Sequence, residues 1–195
     1  MQNFSFKDIF REKIIITGDV GVGKTRLLAK MVDDVVKKQN KAKDIVVLDF
    51  APNIPLDYEI GSSISNYCTM LKSTKYIHPL GLTAPRLMSK SPKELIQSAK
   101  KNARIIKPLI EKTILNPPEA LFIDDLTIYL QSGSPEIILE LIRKAQTFAS
   151  TAYKGNRLDN DKGTGITLNE IKNLDWVINN YPEDKIHEIY INRNK

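Results

Sequence analysis

Eight consecutive residues near the N-terminus form a pattern that can bind phosphate groups. They match the motif G-x-x-x-x-G-K-[ST], and they are Gly18, Asp19, Val20, Gly21, Val22, Gly23, Lys24 and Thr25. The glycines let the backbone turn and present consecutive N–H groups to an anion. Lys24 offers a mobile positive charge to the β- and γ-phosphates, and the hydroxyl of Thr25 is a ligand for Mg²⁺. We therefore expect residues 18–25, together with the adjacent Arg26, to bind a nucleoside triphosphate.

The residues on either side of the motif supply the local structure that phosphate binding requires. Residues 13–17 are a short, mostly apolar run typical of a buried strand. Residues 24–39 repeat apolar side chains at helical spacing, which predicts an amphipathic helix. The N-terminus of that helix would face the phosphates and add roughly half a positive charge. A strand, a glycine-rich turn and a helix are therefore predicted in that order.

Three aspartates are candidates for metal binding and proton transfer. Residues 121–123 form an apolar strand that ends at Asp124 and Asp125. A phosphate-binding loop needs an acid at the end of a neighbouring strand to hold Mg²⁺; we assign Asp124 to that role and Asp125 to orienting or deprotonating water. Asp49 ends another apolar strand at 45–48 and competes with both, as the water-activating acid or as a substrate ligand. The alternative for all three is an aspartate that only satisfies backbone groups in a strand-to-loop turn.

The remaining patterns alternate between helices and strands. We predict further helices and strands as follows: helices that begin near Ser91, Ser134 and Thr167, and strands at 75–77 and 186–191, the last at a sheet edge. The first of these helices ends near 108 or 114, and the second runs to about 147. Residues 147–151 are alternatively a strand that carries Ser150 or Thr151 towards the nucleotide. In the third helix, Glu170 is predicted as the capping partner of Thr167.

This alternation predicts an α/β fold in which helices cover both faces of a mostly parallel sheet. We predict a single domain over residues 1–195, with an irregular excursion at about 56–90 and a loop or lid at about 154–166. Both irregular segments are of a kind that often takes part in function. Arg86 and Arg157 lie in them, and each is either an arginine finger that reaches a γ-phosphate or a solvated loop charge.

These residues give the chain a resemblance to the P-loop NTPase superfamily. The resemblance rests on the Walker A motif at 18–25, the Walker B motif at 121–125 and the order of strands and helices. The two adjacent acids after the Walker B strand look like the branch with an extra catalytic acid, which includes RecA/KaiC-like and AAA+ ATPases. The resemblance implies a three-layer P-loop fold that uses ATP and Mg²⁺. ATP is favoured over GTP because the sequence has neither a convincing guanine-binding signature nor a D-x-x-G pattern after a strand.

Three functions are compatible with these residues. The leading hypothesis is a Mg²⁺-dependent ATPase that couples hydrolysis to a conformational change or an assembly, with Lys24, Asp125 and Asp49 as catalytic residues. The second is a P-loop kinase that phosphorylates a nucleotide or small molecule, because phosphoryl transfer needs little beyond positioning and charge neutralisation. The third is a nucleotide-dependent switch or nucleic-acid-associated module with negligible turnover.

The composition of the chain bears on its cellular location and on its possible partners. The chain has 195 residues, a formal net charge of +6 and a single cysteine, Cys68. It contains no apolar run of the roughly 20 residues that span a bilayer, and one cysteine cannot form an internal disulfide, so we expect a reduced, cytoplasmic location. The basic helix at 92–114 has no interleaved aromatic residues, which leaves nucleic-acid contact through phosphates alone. A homo-oligomer or a protein partner is the other kind of assembly left open.

Overall fold

A parallel β-sheet forms the centre of the molecule. The computed structural model describes residues 8–38, 44–52, 63–181 and 186–192. Within these ranges six strands form one sheet, and each pair of neighbouring strands is parallel. The strands are β1 Lys13–Gly18, β2 Ile45–Asp49, β3 Lys75–Ile77, β4 Ala120–Asp124, β5 Thr147–Tyr153 and β6 His187–Ile191. Their order across the sheet is β3-β2-β4-β5-β1-β6, which confirms the predicted α/β fold with a parallel sheet.

Helices lie between the strands in the chain. They are α1 Lys24–Lys38, α2 Pro85–Met88, α3 Pro92–Leu115, α4 Thr127–Leu130, α5 Pro135–Lys144 and α6 Ile166–Asn179. Helix α1 follows the glycine-rich turn as predicted, although residue 39, its predicted end, lies outside the described ranges. No helix in the described part of the chain is long and apolar enough to cross a membrane.

The hydrophobic core lies on both faces of the sheet, because successive residues of a strand point to opposite sides. Ile14 and Ile16 of β1 belong to a buried cluster with the apolar face of α1. Ile15 belongs to a second cluster, which contains buried side chains of α3, α5 and α6. Strands buried on both faces need nearly continuous apolar sequences, as β1, β2 and β4 have. The predicted layers of helix, sheet and helix are therefore confirmed.

Helix α3 begins where its sequence predicts. The side chain of Ser91 accepts a hydrogen bond from the N–H of Glu94 at 3.2 Å, and the Glu94 carboxylate accepts one from the N–H of Lys90 at 2.7 Å. Pro92 occupies the first turn, where its missing N–H leaves no hydrogen bond unmade. The helix continues through Pro108, which is exposed, and ends at Leu115, close to the longer of the two predicted ends.

The predicted end of the next long helix is wrong. Helix α5 ends at Lys144, and residues 147–153 form β5, so the alternative strand at 147–151 is confirmed. All of β5 is buried in the sheet between β4 and β1. Burial between two strands outweighs the helical spacing of this segment.

The predicted cap of the last helix is also wrong. Helix α6 begins at Ile166 and is preceded by Gly165, whose φ of 73° is a left-handed conformation. Thr167 is therefore inside the helix, and Glu170 is fully buried instead of reaching back to cap it.

The remaining predictions concern the irregular parts and the last strand. Residues 56–62 of the predicted excursion lie outside the described ranges, and the rest of it includes β3, at the predicted 75–77, and helix α2. Strand β6 lies at the sheet edge beside β1, as predicted. That the whole chain is one domain stays a prediction.

Candidate functional site at the carboxyl edge of the sheet

The glycine-rich turn lies at the carboxyl end of β1, where the chain passes into α1. Gly18, Gly21 and Gly23 have φ angles of 141°, 72° and 96°, a region that residues with side chains disfavour. At Gly18 a Cβ atom would also lie only 2.3 Å from the carbonyl oxygen of Ile191 in β6. The turn and its packing against β6 therefore both require glycine. It ends at the N-terminus of a 15-residue helix, an arrangement that favours anions.

Lys24 folds back over this turn. Its Nζ donates hydrogen bonds to the carbonyl oxygens of Gly18 at 2.9 Å and Asp19 at 2.6 Å. Burial lowers the pKa of Lys24, and the negative charges of Asp125, Asp124 and Asp19 oppose that shift. The ammonium group is therefore coupled electrostatically to the turn and to the acids at the end of β4.

Asp124 connects the turn to β4. Its Oδ1 accepts hydrogen bonds from the hydroxyls of Thr25 at 3.1 Å and Thr151 at 2.7 Å. Its Oδ2 is buried and has no hydrogen-bond partner among the described residues. Burial, followed by the charge of Asp49, raises the pKa of Asp124 to about 7. A buried carboxylate with an unpartnered oxygen is costly to ionise, and a bound cation removes that cost.

The donor set fits Mg²⁺. Thr25 and Asp124 present a hydroxyl and a carboxylate to one point, and both are oxygen ligands of the type that Mg²⁺ takes. In the described part of the chain, no group of three or more His, Cys, Asp or Glu side chains is placed to hold a metal ion. Mg²⁺ does not need such a group, because it commonly keeps several waters and takes only one or two carboxylates along with substrate phosphates.

Asp125 is fixed by its neighbours in an unusual conformation. Its φ is 59°, and left-handed backbone at a non-glycine residue costs on the order of 1–3 kcal/mol. Its N–H donates to Oγ1 of Thr151 at 2.7 Å, and its Oδ1 accepts from Oγ1 of Thr127 at 2.9 Å. Burial raises the pKa of Asp125, while Thr127, Lys24 and Arg86 act in the opposite direction. These contacts fix a carboxylate whose raised pKa increases its proton affinity and whose charge acts on Lys24.

Asp49 lies beside Asp124 in the sheet but has different contacts. The two are paired in the parallel register of β2 and β4. The fully buried carboxylate of Asp49 accepts hydrogen bonds from the N–H of Ala51 at 3.1 Å, the hydroxyl of Tyr76 at 2.8 Å and the hydroxyl of Ser63. Three protein donors thus already bind the carboxylate of Asp49, which favours the strand-terminating role over the water-activating one.

Arg86 is not a solvated loop charge. It lies in α2 with a side chain that is only 6% exposed, and its Nη2 pairs with the Glu170 carboxylate at 3.0 Å. Its guanidinium also lies 4.9 Å from the centre of the Tyr153 ring. Burial raises the pKa of Glu170 to about 7, against the opposing effect of Arg86. Arg86 therefore belongs to a buried network that joins α2, α6 and β5.

The other two candidate arginines are exposed. Arg157 lies on the segment between β5 and α6. Arg26 projects from the first turn of α1, and its guanidinium lies 5.0 Å from the centre of the Tyr67 ring.

Several residues of the site are not apparent in the motifs. Thr151 was expected only under the alternative strand at 147–151, and it bridges Asp124 and the backbone of Asp125. Thr127 and Tyr153 were missed; Thr127 also accepts a hydrogen bond from the Tyr153 N–H at 3.1 Å. A hydroxyl two residues after a pair of acids is the only local signal that could have indicated Thr127.

Comparison with known proteins adds little to this geometry. No protein-family model matches the chain, and no curated protein matches it. Among solved structures, the chain is similar to a Pif1 helicase from Candida albicans, with a TM-score of 0.37 and 14% sequence identity over 98% of this chain and 40% of that one. The chain thus spans well under half the length of that helicase, and a similarity of this size carries no functional inference. The structure itself shows an α/β protein with a parallel sheet of six strands in the described part of the chain.

Proposed function

We propose that this protein binds a nucleoside triphosphate together with Mg²⁺ and cleaves the bond to the γ-phosphate, with ATP as the favoured nucleotide. One observation carries the proposal. The hydroxyl of Thr25, at the end of the glycine-rich turn, reaches Asp124, whose other carboxylate oxygen is buried and unpartnered within the described residues. A hydroxyl from the first turn of α1 and an acid from the end of β4, meeting at a helix N-terminus, form a site for a cation that accompanies an anion.

Each residue of the turn has a defined part in binding. The backbone N–H groups between Gly18 and Thr25 surround the phosphates, and Lys24 exchanges its carbonyl partners for phosphate oxygens. Thr25 and Asp124 hold Mg²⁺, which when bound neutralises charge on the β- and γ-phosphates. Arg26 adds a positive charge at the edge of the site.

Asp125 is the proposed proton acceptor. Its negative charge acts on Lys24, and its carboxylate accepts a hydrogen bond from Thr127 at 2.9 Å. A base near the γ-phosphate orients the attacking water or acceptor hydroxyl and takes its proton. Asp49 is a less suitable base because its oxygens already accept hydrogen bonds from Ala51, Ser63 and Tyr76.

The glycine-rich turn contacts the segment that follows β5. Asp19 in the turn accepts a hydrogen bond from the N–H of Asn156 at 3.3 Å. A Cβ atom at Gly155 would lie 2.5 Å from the Asp19 carboxylate carbon, so the two segments are in close contact. A change in the turn when Lys24 moves to phosphate would displace the start of the predicted lid at 154–166. This contact supports a coupling between cleavage of the bond to the γ-phosphate and a conformational change of the lid.

Binding and turnover test the proposal separately. Isothermal titration calorimetry with Mg·ATP should show saturable binding that Lys24→Ala weakens roughly 10- to 100-fold, because the lysine makes charge-assisted hydrogen bonds. Lys30→Ala is the matched control on α1, where Lys30 pairs with Asp34 on the exposed surface. Asp125→Asn should keep binding and lose about 100-fold or more in phosphate release, with Asp34→Asn as its control.

The outcomes separate the hypotheses. If wild-type protein binds no Mg·ATP or Mg·GTP, the proposal is wrong. Tight binding with neither phosphate release nor phosphoryl transfer to an acceptor in the wild type would instead indicate the nucleotide-dependent switch.

A further inference from the structure

A cleft opens next to the glycine-rich turn, on the side of Asp125. It has an empty volume of about 560 Å³ that extends to solvent. Its walls are mainly apolar and include Val20, Ala84, Leu87, Ile128 and Leu158. The walls thus come from the turn, from α2 and α4, and from the segment after β5. Clefts with apolar walls and a few polar groups are typical binding sites for small molecules.

Two residues that line this cleft carry hydrogen-bond acceptors. One is Asp125, through its carboxylate. The other is Gln131, whose side chain amide donates from Nε2 to Glu170 at 3.0 Å while its Oε1 is buried without a partner in the described ranges. Gln131 is only 3% exposed, so an unmet acceptor there is costly. A ligand that fits the cleft should therefore carry hydrogen-bond donors.

The cleft has no unpaired cation in the described lining. Its only basic side chain there, Arg86, is 6% exposed and pairs with Glu170 at 3.0 Å. If the cleft bound a second nucleotide, the phosphates of that nucleotide would need positively charged partners. The lining therefore favours an uncharged molecule with an apolar body over a nucleotide.

The cleft also meets the reacting end of the phosphate site. Val20 belongs both to the cleft and to the turn, and Asp125 is the leading charge that acts on Lys24. Lys24 is the residue expected at the β- and γ-phosphates. A molecule bound in the cleft would thus lie between the apolar walls of the cleft and Asp125, the proposed base.

We propose that this cleft binds the phosphoryl acceptor, a small, mainly apolar molecule with a hydroxyl group that lies against Asp125. The inference rests on the proposed function and narrows it to a kinase. The hydroxyl oxygen forms a bond to the γ-phosphorus. At the same time, the bond between the γ-phosphorus and the oxygen that bridges the β- and γ-phosphates breaks. The hydroxyl proton passes to Asp125, and the products are a phosphate monoester and a nucleoside diphosphate.

Defined probes test this assignment. We would measure binding of benzyl alcohol, 2-phenylethanol and cyclohexylmethanol by ligand-observed NMR in the presence of Mg·ADP, alongside the methyl ether of each, which lacks the O–H donor. The alcohols should bind more tightly than their ethers. Leu158→Trp and Leu87→Trp fill the cleft and should each abolish alcohol binding, whereas Leu168→Trp, at a 57%-exposed position of α6, should not. Gln131→Leu should weaken alcohol binding about tenfold because it removes the unmet acceptor.

The same samples with Mg·ATP, followed by ³¹P NMR, should form a phosphate monoester of at least one alcohol. The assignment is overturned if the wild type binds Mg·ATP but none of the alcohols, if alcohols and ethers bind equally, or if only free phosphate is formed. It is also overturned if the Leu158→Trp and Leu87→Trp variants both bind the alcohols as tightly as the wild type does, while their circular dichroism spectra show that they are folded. None of these results would affect the proposed nucleotide site. Absence of Mg·ATP binding would instead remove the proposed function itself.

Discussion

The carboxylate of Asp124 is placed where its charge is unfavourable without a cation. It is 1% exposed, one of its oxygens lacks a partner within the described residues, and burial raises its pKa from 3.8 to about 7. Two threonine hydroxyls on its other oxygen only partly offset the burial. Sites arranged for function often reduce stability in this way.

This gives a prediction about pH and stability. Between about pH 4 and pH 7, Asp124 of the ligand-free protein is protonated in the folded state but ionised in the unfolded chain. The folded state therefore binds more protons, and the contribution of Asp124 to the free energy of unfolding falls as the pH rises through that window. Asp124→Asn removes the effect. The stability of the variant relative to wild type should rise by on the order of 2–3 kcal/mol between pH 5 and pH 8.

Urea unfolding in EDTA at both pH values measures this difference. Glu170 also has a pKa raised to about 7, but it is present in both proteins and cancels in the comparison. Asp34→Asn, which changes a more exposed carboxylate paired with Lys30, is the control. A relative stability that is the same at the two pH values would contradict the prediction.

Asp49 and Asp125 should differ in what their loss changes. Asp49→Asn replaces a carboxylate that accepts three hydrogen bonds with an amide that can no longer accept all of them, so we expect a loss of about 1–3 kcal/mol in stability. Its kcat for phosphate release should stay within about tenfold of wild type, against a loss of about 100-fold or more for Asp125→Asn. Urea unfolding and steady-state kinetics of the two variants provide the comparison. The opposite ranking of kcat would make Asp49 the base.

At the scale of elements, α2 and α6 are joined by a buried ion pair. Arg86 and Glu170 are 6% and 1% exposed at the side chain, and Gln131 of the segment after α4 donates to the same carboxylate. Removing one partner leaves the other charge buried and unpaired, which typically costs about 3–5 kcal/mol. Removing both partners leaves no unpaired charge.

A double-mutant cycle tests this coupling. Arg86→Met and Glu170→Leu should each destabilise the protein by several kcal/mol, and the double variant should lose clearly less than the sum of the two. Unfolding in urea at pH 8, where Glu170 would be ionised, gives the three differences. Additive losses would show that the pair is not coupled.

The sequence predicts elements well where local signals are strong. The glycines at 18, 21 and 23, the Ser91–Pro92 start of α3 and the apolar runs of β1, β2 and β4 each act within a few residues, and each prediction is confirmed. Two boundaries failed because tertiary contacts decide them: insertion between β4 and β1 makes 147–153 a strand, and burial takes Glu170 away from the helix start.

The site shows the same division. Thr25 and Asp124 could be predicted as partners because each has its own motif. The pairing of Arg86 with Glu170 joins residues 84 positions apart, and no local pattern encodes it. Gln131 and Thr127 likewise acquire their positions only when β4, β5 and α6 pack together.

At the scale of the whole molecule, the candidate site depends on the strand order. Strand β5 lies between β1 and β4, so Thr25 after β1 and Asp124 at the end of β4 meet across the carboxyl end of β5, where Thr151 contacts Asp124. Thr25 and Asp124 are 99 positions apart in the chain. A ligand that bridges them therefore binds only the folded sheet and should stabilise the whole fold.

Stabilisation by Mg·ATP should accordingly depend on pH through Asp124. At a concentration of 100 times its Kd, a ligand adds about 2.7 kcal/mol, which corresponds to a rise in Tm of roughly 5–10 °C for a chain of this size. Mg²⁺ requires the ionised carboxylate, so binding below the pKa of about 7 must displace a proton from Asp124. The Kd at pH 6 should then be about tenfold higher than at pH 8.

Calorimetric titrations at pH 6 in two buffers of different ionisation heat count the released protons. After correction for the nucleotide, a value near one supports Asp124 as the metal ligand, whereas a value of zero, with the same Kd at both pH values, would place the cation elsewhere.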